Sequence, residues 1–401
     1  MSKIKQDSLE YHSSPKSGKL AIAVTKPITN QYELTLAYSP GVAEPVLEIA
    51  KNPAEAYKYT SKSNLVGVIT NGSAILGLGN LGALASKPVM EGKAALFKLL
   101  ADVDAFDIEV SESDPEKFVE IVKSIAPTFG AINLEDIKAP ECFIIEKALQ
   151  NIGIPVMHDD QHGTAIVISA GLLNACEIQG IEPSKAKIVV YGAGAAAIAS
   201  VKLLWQLGFK KEHIIMLDSK GVISTTRNDI NKYKQEIAVT ADFSDLESAI
   251  RDADILIGLA GAVIENPEQI LKLMAKNPIT FLLSNPTPEI PVETVQKIRP
   301  DALIATGRSD YPNQINNALC FPYLFKGALN ARANRITEDM KIAAVNAIRD
   351  LAKEKISPEI LTEYSLNSTE KYGRNYIIPK PTDARLRELV STAVAEAFKT
   401  S

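Results

Sequence analysis

The chain has 401 residues, of which 46% are apolar and 23% charged, and a formal net charge of −5. This composition excludes a disordered, collagen-like or disulfide-stapled chain, and a body of this size can fold without staples. The weak negative charge points away from a nucleic-acid partner, and the longest apolar run, residues 255–264, is far short of the ~18 residues that read as a membrane span.

The first residues, MSKIKQDSLEYHSS, lack the apolar stretch of a secretory leader. Cys142, Cys176 and Cys320 are odd in number and fall in no metal or redox spacing. They read as buried, reduced thiols of a cytoplasmic protein. Residues 1–60 read as helix and loop, with turns at 39–41 and 51–53. From residue 65 short apolar runs alternate with amphipathic stretches. Strands are predicted at 65–70, 105–110, 130–137 and 154–159. Helices are predicted at 88–103, 114–127 and 141–152, with Asp114 as the N-cap of the second and Pro115 in its first turn. A long helix over 162–180 ends at Gly180. A second series places strands at 187–192, 213–218, 253–260, 279–286 and 302–307, with helices at 195–208, 243–253 and 266–277. Three further helices follow, at 316–333, 337–354 and 383–399. Such alternation implies parallel, helix-covered sheets. The expected fold is α/β with two domains. Residues 1–165 form an N-terminal parallel-sheet domain and 166–380 a Rossmann-like dinucleotide-binding domain. Residues 381–401 form a C-terminal helix whose packing the sequence leaves open.

KIVVYGAGAAA runs from a strand through Gly192-x-Gly194-x-x-Ala197 into a helix. The first Gly permits the tight turn, the second clears space for a pyrophosphate, and a small third residue lets the helix pack closely. The helix N-terminus then offers backbone N–H groups to phosphate. Asp218 ends the next strand, 21 residues after Ala197, where an acid binds a ribose diol. An acid there favours NAD over NADP, and Lys220 beside it argues the other way.

Glu135 and Asp136 end one predicted strand, and Asp159 and Asp160 end another. Strand ends of a parallel sheet share one edge, where ligands bind. Four acids there repel one another unless a cation joins them, and oxygen donors suit Mg²⁺ or Mn²⁺. His158 and His162 flank the acids across a strand-to-helix turn and read as supports. Taken alone, Lys93 reads as a surface charge near a helix start and Tyr38 as packing. Asn285 reads as an Asx-turn residue, and Asn316 and Asn317 as N-caps.

The segments LAYSPGVAEP, NGSAILGLGNLG, KPVMEGKA, INLEDI, HDDQHGTA, YGAGAAA, SNPTPE and NNALCFP, in this order, resemble the shorter, bacterial-type malic enzymes over about residues 10–390. No phosphotransacetylase-like extension follows them. The resemblance implies oxidative decarboxylation of L-malate to pyruvate and CO₂ with NAD or NADP and a divalent metal, Mg²⁺ or Mn²⁺, and extends to oxaloacetate decarboxylation. It makes Glu135, Asp136 and Asp160 the metal ligands. Lys93 becomes the base for the malate hydroxyl, its pKa lowered by burial and metal charge, and Tyr38 the acid that protonates the enol. Asn285 and Asn317 would hold the substrate carboxylate or the nicotinamide ribose. A malolactic-type enzyme and another metal-dependent hydroxy-acid dehydrogenase are the alternatives. One departure stands out. The larger malic enzymes carry a substrate-binding Arg just before the ILGLG run, and here Ala74 takes that place. Lys26, Ser73 or a residue of a second subunit could meet the carboxylate instead. The Tyr-rich, helix-prone N-terminal segment leads us to expect a homodimer in which this segment reaches the other subunit.

Overall fold

Short apolar runs of this chain pair in register as two parallel sheets, seen in a computed structural model that describes residues 3–75 and 77–400. Leu76, within the NGSAILGLG segment, lies outside them. The three longest helices before the first strand are α1 (Lys3–Ser13), α2 (Gln31–Ala37) and α3 (Ala43–Lys51). None of them contains a buried residue. The first sheet holds β1 (Leu65–Thr70), β2 (Asp104–Glu109), β3 (Ala131–Leu134) and β4 (Val156–His158) in the order β2-β1-β3-β4. Its register sets Leu134 opposite His158. Glu135–Asp136 and Asp159–Asp160 therefore leave neighbouring strands side by side at the C-terminal edge.

The helix between β1 and β2, α4 (Ala83–Ala101), begins five residues before Pro88. Lys93 is thus at mid-helix, and not near a helix start as the sequence suggested. Pro88 is tolerated because the carbonyl it cannot serve belongs to the exposed Leu84, where water can replace it. Helices α5 (Pro115–Ile125) and α6 (Glu141–Leu149) cover the sheet, and Asp114 caps α5 by accepting from the N–H groups of Glu116 and Lys117. The long helix α7 (Asp159–Gln179) starts directly at Asp159. The predicted strand 154–159 is accordingly one residue shorter at its end, and the helix three residues longer at its start. Fourteen of the 21 residues of α7 are buried, because it is packed between the two sheets, and Gly180 ends it with φ 70°.

The second sheet holds β5 (Ile188–Tyr191), β6 (Ile214–Asp218), β7 (Gly221–Val222), β8 (Ile255–Gly258), β9 (Ile279–Leu282) and β10 (Leu303–Thr306). Their order is β10-β9-β8-β5-β6-β7, all parallel except β7, which pairs antiparallel with β6. The winding reverses between β5 and β8, and a crevice opens there at the strand C-termini. Helix α8 (Ala195–Gln206) follows β5. The sequence did not predict β7 or the short helices Lys232–Ile237, Val292–Ile298 and Pro358–Glu363. Their apolar patterns are too brief to show a period.

Three longer helices near the C-terminus are α9 (Phe321–Asn330), α10 (Glu338–Leu351) and α11 (Arg385–Thr400). The position of α11 is now defined: it lies on α9 and α10, and Arg387 donates to the Leu99 and Leu100 carbonyls of α4. Gly327 permits this approach, since a Cβ there would lie 2.5 Å from the Ser391 carbonyl oxygen. One apolar core runs through both sheets, with Met90, Phe97, Ile166, Ile188, Phe281 and Phe325 among its residues. Phe97 stands edge-on to Phe321 and Phe325, with centroids 4.8 and 5.5 Å away. Phe97→Ala is expected to cost about 3–5 kcal/mol, read as a fall in the urea midpoint at unchanged m-value.

Candidate active site

Lys93 rises from the inner face of α4 into a cleft of about 940 Å³ between the C-terminal edges of the two sheets. The cleft wall also includes Glu135, Asp136 and Asp160 from the first sheet, Gly194 from the fingerprint turn, and Asn316 and Asn317. Only 7% of Lys93 is exposed, so the surface-charge reading of this residue fails. Its ammonium lies 2.5 Å from Asp159 Oδ2, 2.8 Å from Glu135 Oε1 and 4.0 Å from the centroid of the Phe321 ring. Burial works against this charge, but Asp159, Glu135 and Asp160 outweigh it and hold Lys93 well above the ordinary lysine range. The expected lowering of its pKa is therefore reversed among these residues alone, since three anions surround one cation.

The acids divide by direction. Asp159 faces Lys93, and Asn317 also donates to its Oδ2 at 2.5 Å. Glu135, Asp136 and Asp160 each bring one oxygen within 4.8 Å of the others. Asp160 Oδ2 accepts from the Asp136 N–H at 2.8 Å, and Asn133 donates to Glu135 at 3.0 Å. An all-oxygen set of three carboxylates, two of them buried, fits a hard divalent ion. Burial pushes the Glu135 and Asp159 carboxyls up to about 7 and Asp160 up to about 6.

Behind this edge lies a second polar unit that the sequence did not reveal. Glu146 on α6 accepts from the His158 N–H at 2.8 Å and lies 2.9 Å from His162 Nε2. Lys341 on α10 approaches His162 Nδ1 at 3.1 Å. An ammonium can only donate, so Nδ1 accepts and Nε2–H donates to Glu146. Burial opposes the Glu146 charge, yet His162 and Lys341 prevail and hold it down to about 2. His158 is fully buried, and burial drives its pKa down to about 4, so it is neutral at pH 7. The His162 ring thus supports the turn, whereas His158 contributes its backbone N–H to Glu146.

The fingerprint residues occupy the strand-to-helix turn. A Cβ on Gly192, at φ 121°, would sit 2.6 Å from the Leu259 carbonyl. Gly194 is the N-cap of α8 and has open space before it, and Ala197 is fully buried in the core. Asp218 ends β6, but its carboxylate is not free. Arg227 donates to both its oxygens at 2.8 and 3.2 Å, and Lys234 donates at 2.6 Å. Burial would raise its pKa, but these cations hold it down to about 2. The NAD preference rested on an unoccupied acid, and these cations, 9 and 16 residues further along the chain, remove that ground. Lys220, the counter-indication, is itself paired with Asp229 at 2.8 Å.

Asn285 lies in the loop after β9 and lines an adjoining cavity with Gly77, Gly307 and Arg308. Tyr38 is not brought to the cleft of its own chain: it is 72% exposed, and Tyr11 is the tyrosine on the wall. The reason is that the N-terminal helices bury nothing against the body that carries them. Ala74 lies on the wall, its N–H donating to the Asp136 carbonyl. Of the residues considered in place of an Arg there, Ser73 is engaged by Asn71 and the Lys138 N–H, and Lys26 lies outside the wall. Lys19 and Lys138 line it instead, which no motif signalled.

The family model for the malic enzyme N-terminal domain matches residues 17–150, and that for the malic enzyme NAD binding domain matches residues 161–365. The chain is 54% identical over 394 residues to an NADP-dependent malic enzyme of Halomonas elongata, covering 98% of this chain and 93% of that one. It is 51% identical over 397 residues to an NADP-dependent malic enzyme of Escherichia coli, covering 98% of this chain but 52% of the relative. The chain therefore spans about half the length of that relative. A solved malic enzyme structure from Pyrococcus horikoshii superposes with a TM-score of 0.89 at 42% identity, covering 99% of this chain and 91% of that one.

A cation binds ionised oxygens, and burial raises the Glu135 and Asp160 carboxyls, so metal competes with protons for them as pH falls. Mn²⁺ affinity is expected to rise with pH through about 6–7 and level off above, with proton release on binding near pH 6.5. Calorimetry in two buffers of different ionisation heat measures both. Asp136→Asn should weaken Mn²⁺ at every pH, since it removes charge at almost constant shape.

Proposed function

The chain belongs to the malic enzyme family, and from that premise we propose that it converts L-malate to pyruvate and CO₂ with NADP⁺ as acceptor and Mg²⁺ or Mn²⁺ at Glu135, Asp136 and Asp160. The observation that carries this reading is the buried Lys93 ammonium, set between Asp159 and Glu135 in a cleft that the fingerprint turn also lines. A coenzyme held at the fingerprint turn would supply a hydride acceptor, and a divalent ion held by Glu135, Asp136 and Asp160 would supply Lewis-acid stabilisation of negative charge on the substrate oxygen. Lys93 takes the C2 hydroxyl proton. It becomes a base only when the negative charge around it is offset, and a cation on Glu135 and Asp160 has that effect. Asp159 holds the Lys93 amine in place and shares its proton, and Asn317 fixes the Asp159 carboxylate. Lys138 on the cleft wall offers a cation for the malate carboxylate remote from the ion.

The choice of NADP⁺ follows from the ribose end. Asp218 and Asp229 face Arg227, Lys234 and Lys220, a surplus of one positive charge where a 2′-phosphate would lie. The double substitution Arg227→Ala/Lys234→Ala should shift the kcat/KM ratio about 10²-fold toward NAD⁺. An equal loss with both coenzymes would show that the two cations only hold their loop together.

Proton delivery to the enol needs an acid, and Tyr38 of the same chain does not reach the cleft. The segment around it exposes Tyr32, Leu34, Leu36, Val46 and Leu47, while Leu96 and Leu99 are bare at the cleft mouth. These two apolar surfaces suit a homodimer in which Tyr38 of one copy protonates enolpyruvate in the other. No helix among the described residues is long and apolar enough to cross a membrane, and a cytoplasmic enzyme is the corresponding reading.

Lys93→Ala is expected to lower kcat ~10²–10⁴-fold with coenzyme affinity near normal. Net formation of reduced coenzyme from malate separates this reaction from redox-neutral malolactic conversion. Mixing inactive Lys93→Ala and Tyr38→Phe proteins tests delivery across the dimer. Hybrids then hold one intact site, and a 1:1 mixture recovers about a quarter of the wild-type activity. If Tyr38 acted within its own chain, the mixture would stay inactive.

A further inference from the structure

Glu289 lies seven residues beyond β9 and lines neither the metal cleft nor the cavity beside Asn285. It is nevertheless fully buried, and among the described residues no lysine, arginine or histidine pairs with it. What surrounds its carboxylate are donors. The Ala260 N–H donates to Oε1 at 3.2 Å, the Ser284 hydroxyl donates to the same oxygen, and the Ser284 N–H donates to Oε2 at 3.4 Å. Ser284 Oγ in turn accepts from the Gly261 N–H at 2.9 Å. The Glu289 carbonyl accepts from the Ile264 N–H at 2.8 Å. Gly258, at the end of β8, has no room for a Cβ because the Glu289 carboxyl fills that space.

These bonds join two loops that come from different strands. Residues 259–264 follow β8 and form the surface against which Gly192 is set, on the crevice side of β5. Residues 283–288 follow β9 and carry Asn285, whose carbonyl oxygen would lie 3.0 Å from a Cβ on Gly77 of the first domain. Asn285 also donates to the Gly307 carbonyl at 3.4 Å. One carboxylate therefore spans from the wall of the dinucleotide turn to the loop that meets the other domain.

We propose that Glu289 is a positioning residue that sets the post-β8 and post-β9 loops as one unit, so that coenzyme and malate affinity both depend on it. This inference rests on the malic enzyme reading above. The requirement is for an acid specifically. Three donors converge on two oxygens, and each oxygen receives a backbone N–H that cannot accept, so an amide of the same shape would set its NH₂ against the Ala260 N–H in one orientation and the Ser284 N–H in the other. Burial raises the Glu289 carboxyl above its ordinary range, and the bonds from Ser284 and Ala260 counter that rise.

Two variants test this, Glu289→Gln and Ser284→Ala. The second removes only the hydroxyl that links Gly261 to the carboxylate. Reduced-coenzyme fluorescence titration gives the coenzyme affinity, steady-state kinetics the malate KM, and Mn²⁺ titration the metal affinity. Glu289→Gln should raise both coenzyme Kd and malate KM about tenfold, Ser284→Ala both in the same direction by less, with Mn²⁺ affinity unchanged in each. Loss of kcat alone, or both affinities within about twofold of wild type in the folded variants, would reduce Glu289 to packing and overturn the proposal. If Glu289→Gln does not fold, Ser284→Ala decides by the same readouts. A wild-type protein that neither bound coenzyme nor turned over malate would instead overturn the malic enzyme reading, and this inference with it.

Discussion

An ammonium group sealed from water costs several kcal/mol unless anions surround it, and Lys93 is sealed in this way at the centre of the cleft. Asp159 and Glu135 answer that charge directly, and the Phe321 ring covers it. The answer overshoots. Four carboxylates at the two strand ends face one ammonium and leave three negative charges in a buried site. A divalent cation brings the sum to one. The same imbalance adds to burial in raising the Glu135, Asp159 and Asp160 carboxyls, and it holds Lys93 protonated in their company. Acid, base and metal preference in this cleft are one electrostatic problem.

That arrangement depends on α7. Its first turn carries Asp159 and Asp160, where the helix dipole favours negative charge, and its body is packed between both sheets. The turn cannot drift, because Glu146 holds the His158 N–H and His162 ties the same carboxylate to Lys341 on α10. The acids are thus referenced to the first sheet, the second sheet and the C-terminal helices together.

The two ends of the coenzyme crevice handle acids differently. At the ribose end Asp218 is neutralised by Arg227 and Lys234, which turns a diol-binding acid into part of a cationic cup. At the other end Glu289 has no counter-ion and is satisfied by backbone and hydroxyl donors. A carboxylate near the C-terminal edge of the sheet therefore has no meaning until its neighbours are known.

The amino-acid order by itself determined the alternation of strands and helices, the two sheets, the fingerprint turn at Gly192, Gly194 and Ala197, and the pairing of Glu135–Asp136 with Asp159–Asp160. These are local signals: hydrophobic period, glycine geometry, and acids placed at equivalent strand ends. The family resemblance added roles for Lys93, Tyr38, Asn285 and Asn317 that no local pattern carried. Only the tertiary structure decided the rest. Lys93 is one of many lysines in sequence, and its burial depends on Asp159, Phe321 and Asn317 arriving from up to 228 residues away. Asp218 looked free because Arg227 and Lys234 lie in a stretch without a motif. Glu146 and Glu289 gave no signal, since a glutamate on a helix or in a loop is usually solvated. Tyr38 is exposed because the N-terminal helices bury nothing on their own chain, and no hydrophobic period says which body an apolar face will cover. Burial and charge pairing are sums over residues distant in sequence, which a linear pattern does not contain.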